Sequence, residues 1–125
     1  MTKIDIVTGS QLMRLWGVSS WLEYPADYYL WQSCGVFVVI ERGDYVELHM
    51  AMRKQDRYRC RDAVTDMLSV IGNRTIHAPI LSASKPVCNL AKKFGFYLQS
   101  DDVVELIDGR KEQLFLMIRG ELWVE

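Results

Sequence analysis

The sequence predicts a mixed α/β (α+β) fold, in which a largely antiparallel central sheet has helices on both faces and ends in a C-terminal β-hairpin. Three observations support this prediction. Short segments alternate apolar and polar residues or are rich in β-branched and aromatic residues, as strands are. Longer segments repeat apolar residues at steps of three and four, as helices do. Short links that contain glycine separate neighbouring strand segments, as hairpin turns do.

The N-terminal quarter predicts a strand followed by two short helices. Alternation over residues 4–6 predicts the strand, and the Thr-Gly-Ser run over 8–10 offers a capping hydroxyl for a helix that continues to Trp16. A break then precedes a second helical turn over 21–24, which Pro25 ends.

The centre of the chain predicts three strands, a helix and a fourth strand. Aromatic and β-branched residues dominate 28–34 and 36–41, and a short link with a glycine leads to the strand 45–52, which indicates a hairpin. Apolar residues over 56–71 recur at helical spacing, and a glycine ends this helix. The fourth strand is expected over 74–81.

The C-terminal third predicts a helix and a hairpin. Small and polar residues over 82–86, among them Ser82, Ser84 and Pro86, mark the start of a helix that Gly95 closes with a left-handed cap. The first arm of the hairpin is expected over 96–98 and 103–107, the turn at Asp108 and Gly109, and the return arm over 113–118. The predicted elements follow one another from residue 4 to residue 118 without a low-complexity linker, so a single domain over residues 1–125 is expected.

Composition limits the classes of function. Half of the 125 residues are hydrophobic, which is enough for one compact core, and the 15 basic and 16 acidic side chains give a net charge of −1. That balance argues against a general nucleic-acid binder. The three cysteines are widely spaced, as in reduced cytoplasmic proteins. No apolar run approaches the ~18 residues of a membrane helix, and the chain opens directly on a strand, so we expect a soluble cytoplasmic protein.

The order of the predicted elements resembles the GNAT N-acetyltransferase superfamily over nearly the whole chain. The resemblance rests on a strand that ends in Met50-Ala51-Met52, the basic loop 53–61, the two helices that follow, and Gly95-Phe96 before the hairpin. It implies the GNAT fold, a cleft for an acyl-CoA such as acetyl-CoA, and transfer of the acetyl group to an amine.

The resemblance also locates the cofactor loop. In this family the loop carries a leading Arg or Gln and then glycines, whose backbone N–H groups bind the pyrophosphate. If Arg57 leads, Cys60 and Asp62 hold the glycine positions; if Arg59 leads, Asp62 and Val64 hold them. Side chains and a negative charge there oppose phosphate binding, so we expect weak or absent cofactor binding. If CoA binds, the implied cofactor residues are Met50, Met52, Arg57, Arg59, Cys60 and Arg61.

The basic residues of the loop have a second interpretation. A run of charges is usually a solvated surface, and Asp56 and Asp62 are available to pair with Lys54 and the arginines. The loop is then a solvated segment or a salt-bridged contact with another subunit.

The catalytic groups implied by the resemblance are only partly present. The tyrosine that GNAT enzymes use as an acid corresponds to Ala91, and the family's asparagine corresponds to Ser84. Cys88 is either a substitute acid or a small buried thiol. Glu47 and His49 lie two residues apart on a strand and therefore share a face. They are the candidate base if the chain is an enzyme, or else the polar face of that strand.

Two further groups of residues bear on function. Six aromatic residues crowd the first quarter of the chain and are either core or a surface that binds a protein partner; they are Trp16, Trp21, Tyr24, Tyr28, Tyr29 and Trp31. His77 stands alone on a strand, and two histidines without a Cys-x-x-Cys pair predict no metal site.

The sequence leaves alternative functions open. The first is a non-catalytic GNAT-fold protein that acts by protein binding, through the aromatic segment or the arginine loop. Its size and altered cofactor loop resemble GNAT-like proteins of short-tailed bacteriophages, which implies a role in head or internal virion assembly in an infected bacterium. The second is a small acetyl-CoA-dependent N-acetyltransferase that acts on an amine or a protein lysine through Glu47 or His49. The third is a CoA sensor without turnover. Each is compatible with a homo-oligomer.

Overall fold

The computed structural model describes residues 1–81, 85–106 and 108–120, which form seven strands, three α-helices and one 3-10 helix. In chain order these are β1 (Thr2–Ile4), α1 (Ile6–Trp16), β2 (Asp27–Trp31), β3 (Gly35–Glu41), β4 (Val46–Met52), the 3-10 helix (Lys54–Arg59), α2 (Cys60–Ile71), β5 (Ile76–Leu81), α3 (Lys85–Lys93), β6 (Tyr97–Glu105) and β7 (Lys111–Arg119).

All seven strands belong to one sheet of order β1-β2-β3-β4-β5-β7-β6. Every neighbouring pair is antiparallel except β4 with β5, which is parallel. The largely antiparallel mixed sheet and the C-terminal hairpin of β6 and β7 are therefore as predicted.

Helices cover both faces of the sheet and create two hydrophobic cores. On one face α1 contributes Met13 to a core with Val36 and Val38 of β3. On the other face α2 contributes Met67 to a core with Phe37 of β3. Because both faces of β3 are covered, its sequence is almost continuously apolar and does not alternate between apolar and polar residues.

The N-terminal helices differ from the prediction. Asp5, and not a hydroxyl of residues 8–10, caps α1: its carboxylate accepts a hydrogen bond of 3.0 Å from the Thr8 N–H. Residues 21–24 form no helix, so the prediction of a second helical turn there is wrong. There the Trp21 carbonyl accepts a hydrogen bond of 3.0 Å from Arg14 in α1, and side-chain contacts with the sheet replace helical hydrogen bonding.

Two central boundaries also differ. The strand predicted over 28–34 ends at Trp31, because Gln32 and Ser33 take positive φ values of 46° and 59° and turn the chain into β3. The helix predicted from residue 56 begins instead at Cys60, after the 3-10 helix.

The end of α3 follows the prediction. Gly95 has a φ of 88°, and the Phe96 N–H donates to the Ala91 carbonyl at 3.1 Å, which is a left-handed helix cap of the Schellman type. β6 runs without a gap over the residues predicted as two pieces, with one irregularity between Leu98 and Ser100. The predictions for residues 82–84 and 107 lie outside the described residues. No helix in the described part of the chain has the length and apolar character to span a bilayer.

The close approach of α1 to β2 gives a test of this packing. A Cβ atom at Gly9 would lie 2.6 Å from Cγ of the buried Tyr28 ring, so Gly9→Ala must displace the helix or the ring. We expect a loss of about 1–3 kcal/mol in the free energy of unfolding, measured in urea. Gln11→Ala, on the exposed side of the same helix, is the control and should change it by less than about 0.5 kcal/mol. Equal effects of the two changes would contradict the packing described.

Candidate functional site

The parallel strands β4 and β5 pair at only two positions, Val46 with Ile76 and Glu47 with His77. Beyond these positions β4 stays paired with β3, and β5 stays paired with β7. The two strands therefore diverge, and among the described strands none pairs with the β5-facing side of β4 after Glu47. Backbone N–H and C=O groups on that side are available to a ligand in the manner of an added strand.

A cleft of about 310 Å³ opens where the strands diverge. Its walls are almost entirely apolar. Most of them come from β4, β5, α3 and the segment after α1, and α1, α2 and β7 contribute one residue each; the walls include Leu48, Met50, Ala78, Pro79, Ile80, Leu81, Val87, Leu90 and Ala91. Among the described residues that line it, His49 alone carries an ionisable side chain.

A second cavity of about 280 Å³ lies beside the cleft. The segment between α1 and β2 forms one side of it, and Ile40, Arg42, Glu47 and His49 form the other. Val18, Trp21 and His49 line both cavities, so these three side chains form a shared wall. His49 is thus placed to contact one molecule in the cleft and another in the second cavity.

Glu47 and His49 lie on one face of β4, as their spacing predicts. Glu47 Oε2 lies 2.6 Å from His49 Nε2, and each side chain is about one-fifth exposed. The hydrogen bond from His49 is the main cause that lowers the pKa of Glu47, while partial burial acts in the opposite direction. Glu47 is therefore ionised at neutral pH and can orient the imidazole. Catalysis by the pair stays a prediction.

The buried Tyr28 hydroxyl holds the shared wall in place. It accepts hydrogen bonds from Trp21 Nε1 at 3.2 Å and from the Ser10 hydroxyl at 3.3 Å, and it donates to the Tyr24 carbonyl at 3.0 Å. One hydroxyl thus joins α1, β2 and the segment between them. The Trp21 ring then meets the His49 ring edge to face, with centroids 5.1 Å apart. Sequence reasoning missed Ser10 in this role, because it assigned residues 8–10 to a helix cap.

The six aromatic residues predicted as a core or as a surface for a protein partner lie largely in the interior of the protein. Trp21, Tyr28 and Trp31 are buried in the two cores, and Tyr24 is the most exposed of the six at 43%. Trp16 and Tyr29 are half-buried. Binding of a protein partner by this segment stays a prediction, and Trp16, Tyr24 and Tyr29 are the residues left to contribute to it.

The predicted cofactor loop is a 3-10 helix whose arginines have intramolecular partners. Arg57 donates to the Trp16 carbonyl at 3.4 Å, and the Arg59 guanidinium lies 4.7 Å over the Trp31 ring and hydrogen-bonds Gln32. Arg53 pairs with the buried Asp56 at 2.6 Å. This ion pair lies within the chain, so the interpretation of the loop as a salt-bridged contact with another subunit stays a prediction.

The predicted cofactor residues are only partly brought together. Met50 lines the cleft, whereas Met52 is buried in the core. Arg57 lines a separate basic depression with Arg14, Arg53 and Lys54. The remaining three, Arg59, Cys60 and Arg61, are not among the residues that line the cleft, and burial raises the pKa of the Cys60 thiol.

The predicted acid position is apolar. Ala91 lines the cleft without a hydroxyl or thiol. Cys88 lies in the core instead, where burial raises the pKa of its thiol, so the structure gives it the role of a small buried residue. Ser84 lies outside the described residues. His77 stacks on Tyr45 with centroids 3.7 Å apart, and no metal-binding group of His, Cys, Asp or Glu occurs in the described ranges.

No family model matches the sequence, and no curated protein matches it. Solved structures do. The ribosomal-protein-S18-alanine N-acetyltransferase from Escherichia coli matches with a TM-score of 0.72 and 13% identity, over 99% of this chain and 94% of that one. An acetyltransferase of the GNAT family from Streptococcus pneumoniae matches with a TM-score of 0.60 and 12% identity, over 69% of this chain. A mutant spermidine N-acetyltransferase from Vibrio cholerae matches with a TM-score of 0.61 and 17% identity, over 74% of this chain.

These matches show that the chain has the GNAT fold, as the resemblance implied. The chain covers 59% and 62% of the Streptococcus and Vibrio proteins, less than two-thirds of their length. At such low identities the likeness concerns the fold and not the substrate. None of the three proteins is from a bacteriophage, so the suggestion of a phage protein has no support from them.

The Tyr28 hydroxyl can be tested by its removal. Tyr28→Phe leaves the buried Ser10 hydroxyl and the Trp21 indole N–H without their acceptor, so we expect a loss of about 1–3 kcal/mol in unfolding free energy. Tyr24→Phe is the matched control, because Tyr24 takes part through its backbone carbonyl. A urea titration that gave the same stability for both variants would rule out the proposed role of the hydroxyl.

The Glu47–His49 contact predicts a pH dependence. Because the native pKa of Glu47 is lowered from 4.5, its ionised form stabilises the fold fully above about pH 4.5, and this contribution is lost as pH falls through the native pKa. His49→Ala removes the main cause of the lowering, so the Glu47 pKa should rise and this part of the pH dependence should shrink. Carboxyl carbon NMR titration and urea unfolding at several pH values measure both effects.

His77→Ala is the control for that titration, because His77 stacks on Tyr45 and does not contribute to the pKa shift of Glu47. A Glu47 pKa that stayed low in His49→Ala would show that another group holds the carboxylate.

Proposed function

We propose that the chain is an acetyl-CoA-dependent N-acetyltransferase, the second of the functions that the sequence leaves open. The cleft between β4 and β5 receives the acyl end of the cofactor, and the second cavity receives the amine. The observation that supports this most is the shared wall, in which His49 lines both cavities and hydrogen-bonds Glu47 at 2.6 Å.

The cleft suits the acyl and pantetheine part of acetyl-CoA. Its apolar walls fit the aliphatic portions, and the unpaired side of β4 offers N–H and C=O groups to amides. The phosphate end has no glycine loop to bind it. Of the basic side chains in the loop, Lys54 and Arg61 are exposed and make neither an ion pair nor a hydrogen bond among the described residues, whereas Arg57 hydrogen-bonds the Trp16 carbonyl; Lys54 and Arg61 are therefore the most available cations. We therefore expect modest affinity for the cofactor.

His49 acts as both base and acid in this proposal. Acetyl-CoA supplies the acetyl group as a thioester. The amine nitrogen forms a bond to the thioester carbon, the C–S bond breaks, and one proton must pass from the nitrogen to the departing sulfur. Glu47 holds Nε2 of His49, so Nδ1 is the ring nitrogen that accepts this proton from the amine and returns it to the departing sulfur. This removes the need for a hydroxyl at Ala91.

Glu47 orients the imidazole and stabilises its protonated form. The carboxylate is ionised and contacts His49 Nε2 directly, so it favours the imidazolium that forms when the amine is deprotonated. It therefore acts through His49 as a positioning residue.

A second candidate is a non-catalytic GNAT-fold protein that acts by binding a protein partner. The cofactor loop favours it, because the loop is wound into a 3-10 helix and Arg57 and Arg59 have partners within the chain. A role in bacteriophage head or internal virion assembly belongs to this candidate.

Calorimetry with acetyl-CoA, followed by an assay of thiol release with amines, tests the proposal. We expect binding near the micromolar range, about −8 kcal/mol. Glu47→Gln and His49→Ala should retain binding and lose about 100- to 10,000-fold in rate. His77→Ala is the control and should keep wild-type rates.

The alternatives give different results in the same experiment. A folded protein that binds no acetyl-CoA would favour the non-catalytic candidate. Binding without thiol release from any amine would indicate a CoA sensor.

A further inference from the structure

We propose that the acceptor is a short amino acid with a free amine, a free carboxylate and an apolar body, and that Arg42 binds the carboxylate. This inference rests on the proposed function. Its basis is the second cavity, whose described lining holds one cation, Arg42, and one anion, Glu47, in contact with each other.

Arg42 is weakly held and therefore able to bind a ligand. Its contact with Glu47, from Nη2 to Oε1, is long at 3.4 Å, and its side chain is about half exposed. An exposed ion pair of this kind contributes little. A guanidinium binds a free carboxylate more strongly through two parallel N–H···O bonds, which the edge of Glu47 does not provide here.

Neighbouring carboxylates do not compete for Arg42. Glu41 is held by Arg74 at 2.7 Å and by the Gly43 N–H at 3.0 Å, and Arg74 lowers the pKa of Glu41 to about 2. Neither Glu41 nor Asp44 lines the cavity, whereas Arg42 does.

The geometry allows one small acceptor to reach both residues. Arg42 and His49 contact opposite oxygens of the same Glu47 carboxylate, Oε1 and Oε2. Because both residues contact one carboxylate, they lie close enough for a single small molecule to place its amine at His49 and its carboxylate at Arg42.

The charges exclude a diamine as the favoured acceptor. Glu47 can attract one ammonium group, but Arg42 beside it repels a second. The walls of the cavity set the character of the rest of the molecule: they include Trp21, Leu22 and Ile40, which suit an apolar body. An amino acid such as leucine meets these requirements.

Matched acceptors test the inference. Leucine and leucinamide share a body and an amine but differ in the carboxylate, and 1,4-diaminobutane carries two amines. We expect wild-type protein to acetylate leucine with the highest kcat/KM. In Arg42→Gln the ratio of kcat/KM for leucine to that for leucinamide should fall by about tenfold or more. Comparing this ratio between proteins cancels the different basicity of the two amines.

Two further variants complete the design. Arg42→Lys keeps the charge and loses the paired geometry, so its ratio should lie between those of the wild type and Arg42→Gln. Arg110→Gln changes an arginine that pairs with Asp108 at the β6–β7 turn and should leave the ratio unchanged.

The results separate this inference from the proposed function. The inference is overturned if the protein prefers leucinamide or 1,4-diaminobutane to leucine and Arg42→Gln leaves the ratio of kcat/KM for leucine to that for leucinamide unchanged. The proposed N-acetyltransferase activity would still stand. Absence of transfer to every amine, in protein that binds acetyl-CoA, would overturn the proposed function and the inference with it.

Discussion

The short pairing of β4 with β5 is the constraint on which the candidate site depends. Two paired positions fix the parallel strands at one end, and beyond them each strand is committed to its antiparallel partner. Pro79 lines the resulting cleft and has no N–H, which a strand tolerates where one side has no ladder partner. If β4 and β5 stayed paired along their whole length, the cleft would close. The gap in the sheet therefore creates the site.

Local sequence patterns predicted the parts of the fold that depend on periodicity. Alternation placed Glu47 and His49 on one face of β4, and apolar spacing identified the helix that ends at Ile71. The segment 21–24 was mistaken for a helix because its conformation is set by the Tyr28 hydroxyl, which comes from another element. The divergence of β4 and β5 likewise depends on a partner distant in sequence, so no local pattern reveals it.

The site also shows why the family motif and the geometry lead to different conclusions. If Arg57 leads the loop, Cys60 and Asp62 hold the positions of the family's glycines, and Ala91 corresponds to the tyrosine position, so the resemblance alone argues for lost chemistry. The structure keeps an apolar cleft and adds an imidazole in the wall between two cavities. In the proposed reaction, His49 serves as both base and acid because it lines both cavities. The loss of a motif residue and the loss of the chemistry are therefore separate questions.

In the segment after α1, the groups that hydrogen-bond the Tyr28 hydroxyl are not the side chains that shape the second cavity. That segment is fixed by the Trp21 indole and by the Tyr24 carbonyl, which every residue at position 24 would supply. The side chains of Leu22 and Tyr24, by contrast, line the second cavity and are 57% and 43% exposed. Leu22 can be replaced at little cost to stability, whereas the Tyr24 ring also packs against Trp21, so the shape of the cavity can change mainly at Leu22 while its frame stays fixed. Lineages that share this scaffold can thus diversify in what they recognise without refolding.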